Sequence, residues 1–240
     1  MKRLILLILL TLVLSECWGQ SFLPTTKGGE VVRHTYYTLC YEEEYQGALW
    51  VFYLLTPEMV NGSAERKNNF KADPKVTTGS ASPKDYTKSG YDRGHLASAA
   101  DMKISQVAMD ESFLMSNMSP QHPSLNRGRW KTLEEWVREW VTTNGELYVA
   151  VGAIYNELLG TIGANRVAVP ACYYKILYSA EKEEMIAFIM ENKKLDGDIK
   201  EYIVSVDRVE ELVGIDFFAE LDDALENRLE GKSNKDKWGF

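Results

Sequence analysis

An α+β fold is the expectation for this 240-residue chain, and three observations carry it. Short runs rich in aromatic and β-branched residues lie on both sides of one strongly amphipathic segment. Strands and helices follow in mixed order rather than strict alternation, and no composition shift marks a second domain. With 45% apolar and 26% charged residues, the chain is ordinary globular material.

At the N-terminus Lys2 and Arg3 precede an 11-residue apolar run, Leu4 to Leu14, and small residues stand at Cys17 and Gly19. This is the pattern of a signal peptide over residues 1–19, and a membrane span would need roughly 20 apolar residues. Acylation at Cys17 is a second reading, but Glu16 is a bulky acid where that signal prefers a small residue. Next, HTYYTLCY (34–41) and ALWVFYLL (48–55) predict an antiparallel pair turning at Tyr45-Gln46-Gly47. Residues 57–90 dissolve into Asn, Gly, Ser, Lys, Asp and Pro, the composition of a long surface connection. WKTLEEWVREWV (130–141) sets Trp130, Leu133, Trp136, Val137, Trp140 and Val141 on one helical face. Three strand-like runs follow at 147–154, 167–178 and 185–190. Asp207 to Glu210 has the form of a capping box, with Gly214 closing a short helix. KSNKDK (232–237) reads as solvated, so the expected domain spans 20–232 with a polar tail at 233–240.

Removal of residues 1–19 leaves 25 basic and 34 acidic side chains, a net charge of −9. A chain this acidic holds a polyanion only through a local site, with a metal cation to help. Cys40 and Cys172 would then remain; both lie in apolar strand-like stretches, and two buried free thiols are at least as good a reading as a bridge.

The segment SGYDRGHLASAADM (89–102) places Asp92, Arg93, Gly94 and His95 side by side in a chain with three histidines. Gly94 permits a tight turn beside the ring, Arg93 supplies a permanent cation and Asp92 a carboxylate. An imidazole suits proton abstraction from water near neutral pH. Downstream, Asn117 and Asn126 are hard oxygen donors, and Glu134 follows Asn126 by eight residues. A carboxamide ligand leaves a metal most of its waters, which suits Mg²⁺. Taken singly, the asparagines read as turn or N-cap residues and Glu134 as a solvated helix position. No His-x-x-x-His or paired-cysteine spacing favours zinc.

Together, D-R-G-H, then N-x-x-P-Q from Asn117, then N-x-G-x-W-x-x-L-E from Asn126, closely resemble the DNA/RNA non-specific endonuclease family. WVFYLLT (50–56), NFKADP (69–74), the strand from Val169 to Ile176 and SVDRVEELVGIDFF (205–218) resemble further family elements, covering about residues 30–220. The resemblance implies a ββα-metal finger on a central, mostly antiparallel sheet flanked by helices. It implies His95 as general base, Asn126 as direct ligand of Mg²⁺ with Mn²⁺ a substitute, and Glu134 acting on the metal through water. Arg66, with Lys67 as competitor, corresponds to the arginine that neutralises the transition-state phosphorane. Arg93 and Asn117 match positions that orient the base and the site, while Arg127, Arg129 and Lys131 read equally as phosphate contacts or exposed charges. Ser98 stands where the family often has Pro, a turn position at which little effect is expected. The implied activity is secreted or periplasmic cleavage of DNA and RNA without base preference, leaving 5′-phosphate ends; dimers are known in the family. A catalytically silent nucleic-acid-binding surface protein, lipid-anchored through Cys17, is the alternative.

Overall fold

In the computed structural model, residues 22–233 and 235–240 are described; the expected signal peptide and Cys17 lie outside them. The first hairpin forms where the aromatic and β-branched runs predict it: β2 (Thr38–Glu42) pairs antiparallel with β3 (Gly47–Leu55) through a turn in which Gln46 has φ 49°. A strand that sequence reading passed over, β1 (Glu30–Arg33), joins the outer edge of β2. The three later runs become β6 (Leu147–Ile162), β7 (Val167–Ser179) and β8 (Glu184–Glu191), and the two-residue β9 (Ile203–Val204) closes the edge. The result is a seven-stranded antiparallel sheet in the order β1-β2-β3-β6-β7-β8-β9. β6 runs well beyond the expected 147–154 because it pairs with β7 past two register shifts, carrying both strands out as a long arm.

The period of two in these strands sends alternate residues to opposite faces. Val51, Tyr53, Val149, Val151, Tyr173, Leu177, Ile186 and Phe188 build one core with Leu133, Val137, Trp140 and Val141 of the amphipathic helix α3 (Trp130–Asn144). Trp50, Phe52, Ala150, Tyr174, Ile176 and Ala187 build the other with α4 (Val206–Val213) and α5 (Asp223–Glu230). The cleft described below therefore lies on one face of the sheet and the C-terminal helices on the other. Two short helices, α1 (Pro57–Asn61) and α2 (Gln106–Glu111), precede α3 in the chain.

A second, two-stranded sheet pairs β4 (Asp92–His95) with β5 (Met118–Gln121), register His95 to Met118 and Asp92 to Gln121. Followed by α3, it makes a ββα unit. Gly94 lies in this extended strand, so its role is not the tight turn expected: a Cβ there would collide with the Gln121 side chain packed across it. The long connection 57–90 is pinned by buried Asp73, which accepts from His34 Nε2 (2.9 Å), Ser116 Oγ (2.5 Å) and Lys75 N (2.9 Å). These donors hold its carboxyl below the usual carboxylate range against the opposing effect of burial.

Three other expectations need correction. Ser205, not Asp207, caps α4, its hydroxyl accepting from Arg208 N, while Gly214 does take the left-handed position with φ 66°. α5 went unread, because its one well-buried apolar side chain, Leu229, leaves little periodic signal. The polar segment Lys232–Lys237 is exposed where described, but the chain then turns inward: Trp238 is 1% exposed against Trp136 and Trp140, and Phe240 stacks on Trp136. Cys40 and Cys172 are both free thiols. Trp238→Ala is expected to cost about 3–5 kcal/mol, the usual range for emptying a buried Trp site, read as a lower midpoint in urea unfolding with an unchanged slope.

Candidate active site

His95 ends β4, and its ring is wedged between Phe113 (centroids 4.8 Å, edge-on) and Phe70 (5.8 Å). Burial, and secondarily the Arg66 cation, push the imidazole down to about pKa 3, so it is neutral across the ordinary pH range. Its Nε2 is buried and meets no partner among the described residues. The chain just beyond it is clamped by Asn117, which is fully buried: Oδ1 accepts from Ala97 N (2.9 Å), and Nδ2 donates to Ala97 O (2.9 Å) and Ser112 O (2.8 Å). Asn117 thus spends its whole side chain on backbone. It positions the His95 segment, in keeping with the orienting role expected of it, and is not among the residues that line the cleft.

Asn126 lies in a widened, π-type turn (Leu125–Arg129) that feeds into α3, with Gly128 at φ −110°, ψ −113° breaking helical geometry. Its Nδ2 donates to Asp92 Oδ2 (2.9 Å). Because a carboxylate can only accept, this bond fixes the amide's orientation and leaves the carbonyl oxygen Oδ1 unengaged. Arg127 completes the arrangement by forking onto both Asp92 oxygens (2.7 and 2.6 Å). Asp92 is therefore the residue that aims Asn126. The sequence placed it in the motif but contained nothing to show which partner it would find.

Glu134, one turn into α3, is half-buried on the same cleft. Burial pushes its carboxyl up to about pKa 7; the nearby Lys175 cation opposes this and Asp101 adds to it. Ser98 Oγ donates to Glu134 Oε2 (3.1 Å), and Arg138 reaches both Ser98 Oγ (3.5 Å) and Asp101 Oδ1 (3.0 Å). Tyr53 OH donates to Asp101 Oδ2 (2.8 Å). Lys175, 1% exposed on β7, lies with its ammonium 5.3 Å from the Trp130 ring centroid. The Ser98 position, expected to shape a turn and nothing more, thus touches a residue of the site itself.

These side chains meet in a cleft of about 380 Å³ lined by His95, Asn126, Glu134, Ser98 and the cations Arg66, Arg93, Arg127, Lys131 and Arg138. Arg66 is held by Asn68 Oδ1 (2.7 Å) and lies over Phe113, 5.2 Å from the ring centroid. Lys67, its competitor in the sequence, is not among the lining residues. Arg93 donates to Pro83 O (2.8 Å) and stacks over Phe70. Arg129 is not brought in: its guanidinium donates to Asp196 O (2.9 Å), because the turn at Gly128 rotates it away from the cleft. His34 belongs to the Asp73 cluster, and His122 Nδ1 accepts from Ser124 N, which leaves His95 as the cleft's imidazole. Sequence reasoning gave no role to Asp101, which ends the Ala-Ala-Asp run after His95, to Arg138, one turn after Glu134 on α3, or to Lys175 of β7, because their meeting depends on the fold.

For a divalent cation the donor set fits: a free carboxamide oxygen and a carboxylate line the same cavity, whose volume admits water as well. Candidate metal ligands elsewhere, Asp207, Glu210 and Glu230, belong to α4 and α5 on the other face.

Comparison with known proteins agrees with this arrangement. The family model for DNA/RNA non-specific endonuclease matches residues 20–224. The chain is 35% identical over 198 residues to mitochondrial endonuclease G of Homo sapiens, covering 75% of this chain and 67% of that one. It is 34% identical over 210 residues to a nuclease of Nostoc sp., covering 82% and 76%. Among solved structures it matches one titled as the EndoG/EndoGI complex, with a TM-score of 0.78, 32% identity, and 85% and 91% of the two chains covered. With the family model matched over residues 20–224 and relatives at 34–35% identity, this protein belongs to the DNA/RNA non-specific endonuclease family.

Proposed function

We propose that the chain hydrolyses phosphodiester bonds of DNA and RNA without base preference, and that the cleft joining His95 to the oriented carbonyl of Asn126 performs the reaction. One observation carries this reading: the neutral imidazole and the free carboxamide oxygen line the same cavity, surrounded by five cationic side chains. Those cations resolve the charge problem posed by the acidic composition, since they gather positive charge where a phosphate would sit.

In the proposed reaction His95 takes a proton from a water as its oxygen attacks phosphorus in line. The P–O3′ bond breaks, the phosphate stays on the 5′ side, and the 3′ oxygen leaves to be protonated as a hydroxyl. Arg66 and Arg93 neutralise charge on the pentacoordinate transition state; both are held beforehand, by Asn68 and by Pro83 O, so little reorganisation is needed. Mg²⁺, with Mn²⁺ as substitute, would be held by Asn126 Oδ1 and steadied by Glu134 through water, supplying charge for the phosphate and the departing oxygen. Ser98 and Arg138 fix the Glu134 carboxylate. Arg127 and Lys131 guide the phosphate backbone at the rim, Arg127 having also the structural task of tying down Asp92. Contacts of this kind read phosphate and carry no sequence information. Export after loss of residues 1–19 is part of the proposal and rests on the sequence pattern of that segment.

The purified chain is expected to degrade plasmid and RNA with Mg²⁺ and to stop with EDTA. His95→Ala should lower kcat by about 10²–10⁴-fold; full activity in that variant would remove His95 as the base. Because burial holds the imidazole far below its ordinary range and pushes the Glu134 carboxyl up to about 7, an acid limb near pH 6–7 in the kcat/KM profile should come from Glu134 and not from His95, and should vanish in Glu134→Gln. Ser98→Ala is expected to lower kcat about two- to tenfold with little change in KM, the effect of losing one hydrogen bond, and to raise the Mg²⁺ concentration for half activity; Ser98→Thr should recover both. An unchanged Mg²⁺ dependence in Ser98→Ala would disconnect Ser98 from the metal.

A further inference from the structure

On the opposite face of the sheet the two C-terminal helices bring carboxylates together with no cation paired to them among the described residues. Ser205 caps α4, so neither Asp207 nor Glu210 is used up in a capping box. Asp207, Glu210 and Glu230 each offer an oxygen, and the three oxygens lie within 4.8 Å of one another. Glu210 commits one oxygen to Phe217 N (2.7 Å). Glu230 is only 5% exposed, and its Oε1 is buried with no hydrogen-bond partner among the described residues.

The surroundings make that orphaned oxygen costly. The charges that weigh most on Glu230 come from Glu210, Glu226, Asp207 and Asp216, all of one sign. Arg208 and Arg228, the basic residues of the two helices, pair with Glu211 and Glu183 instead. Glu230 is also the last residue of α5, where the helix dipole presents its negative end. A buried carboxylate in such a place needs a cation or a proton.

Coordination chemistry distinguishes the cations. Ca²⁺ accepts several carboxylates in flexible geometry, whereas Mg²⁺ demands a near-ideal octahedron, keeps most of its waters and is usually held by only one or two carboxylates. Three carboxylates from two helices, their oxygens within 4.8 Å of one another, suit the more permissive ion. We propose that Asp207, Glu210 and Glu230 form a Ca²⁺ site that ties α4 to α5 on the face of the sheet opposite the cleft, with water completing the shell.

The test uses the full chain carrying Asn126→Ala, so that the cleft does not contribute, and CaCl₂ or MgCl₂ alone as probe. Calorimetric titration should give one Ca²⁺ per chain, with Mg²⁺ bound more weakly. At a Ca²⁺ concentration roughly ten times Kd, the unfolding midpoint should rise by about 3–6 °C over its value in EDTA. Glu230→Gln in the same background should abolish binding and the shift, and exposed Asp207→Asn should weaken Ca²⁺ at least about tenfold while leaving the fold intact. In EDTA, Glu230→Gln should melt above its parent, since repulsion is relieved. An equal Ca²⁺ shift in Glu230→Gln would overturn the site. So would stabilisation by Glu230→Gln in EDTA with no effect of Ca²⁺ on the parent, which would mark a proton-sharing cluster. Since the nuclease reading is tested through His95 and Mg²⁺ turnover, either proposal can fail without the other.

Discussion

Asp92 has two oxygens, and both are filled from the turn that precedes α3. Arg127 forks across them and Asn126 donates its amide to one. The rest of the cleft depends on this exchange. If the amide were free to rotate, its nitrogen could face inward and repel a cation; held by a carboxylate, it can only present its carbonyl. The strand-to-turn pairing also ties β4, which carries His95, to the start of α3, which carries Glu134. One hydrogen-bonded carboxylate therefore sets the relative positions of three residues proposed to act together.

The same site shows how an acidic protein assembles local positive charge. Arg66, Arg93 and the trio Arg127, Lys131 and Arg138 of the turn and helix that follow come from three stretches of chain and line one cavity. Each is fixed by a neutral or anionic neighbour, so their mutual repulsion is offset before any phosphate arrives. Behind them, Lys175 and Arg138 bracket Glu134 and Asp101 in a half-buried ionic group. Such groups contribute little net stability and much geometry, because separating the charges would leave one uncompensated. Ser98 belongs to this group by its bond to Glu134, which is why a position that looks like turn chemistry in the sequence has a place in the proposed mechanism.

The sheet separates two electrostatic regimes. One face carries the cationic cleft; the other carries α4 and α5 with their clustered carboxylates. The long β6–β7 pair contributes to both, its alternate residues packing α3 on one side and the C-terminal helices on the other. Trp238 and Phe240 then return the chain end to the α3 side, covering Trp136 and Trp140.

The sequence alone determined the α+β class, the strands β2, β3, β6, β7 and β8, the face of α3, and the motif spacing that singled out His95, Asn126 and Glu134. These are legible because they rest on short-range physics: alternation, helical period and motif spacing. Tertiary structure alone decided which groups those residues would meet. Asn117 turned inward to clamp backbone, and Arg129 was carried off to Asp196. Ser98 was drawn onto Glu134, Lys175 was brought in from β7, and Arg138, one turn further along α3, found Asp101. Trp238 was buried although polar residues precede it. A side chain's partner depends on where chain far away in sequence passes, and neither local propensity nor spacing encodes that.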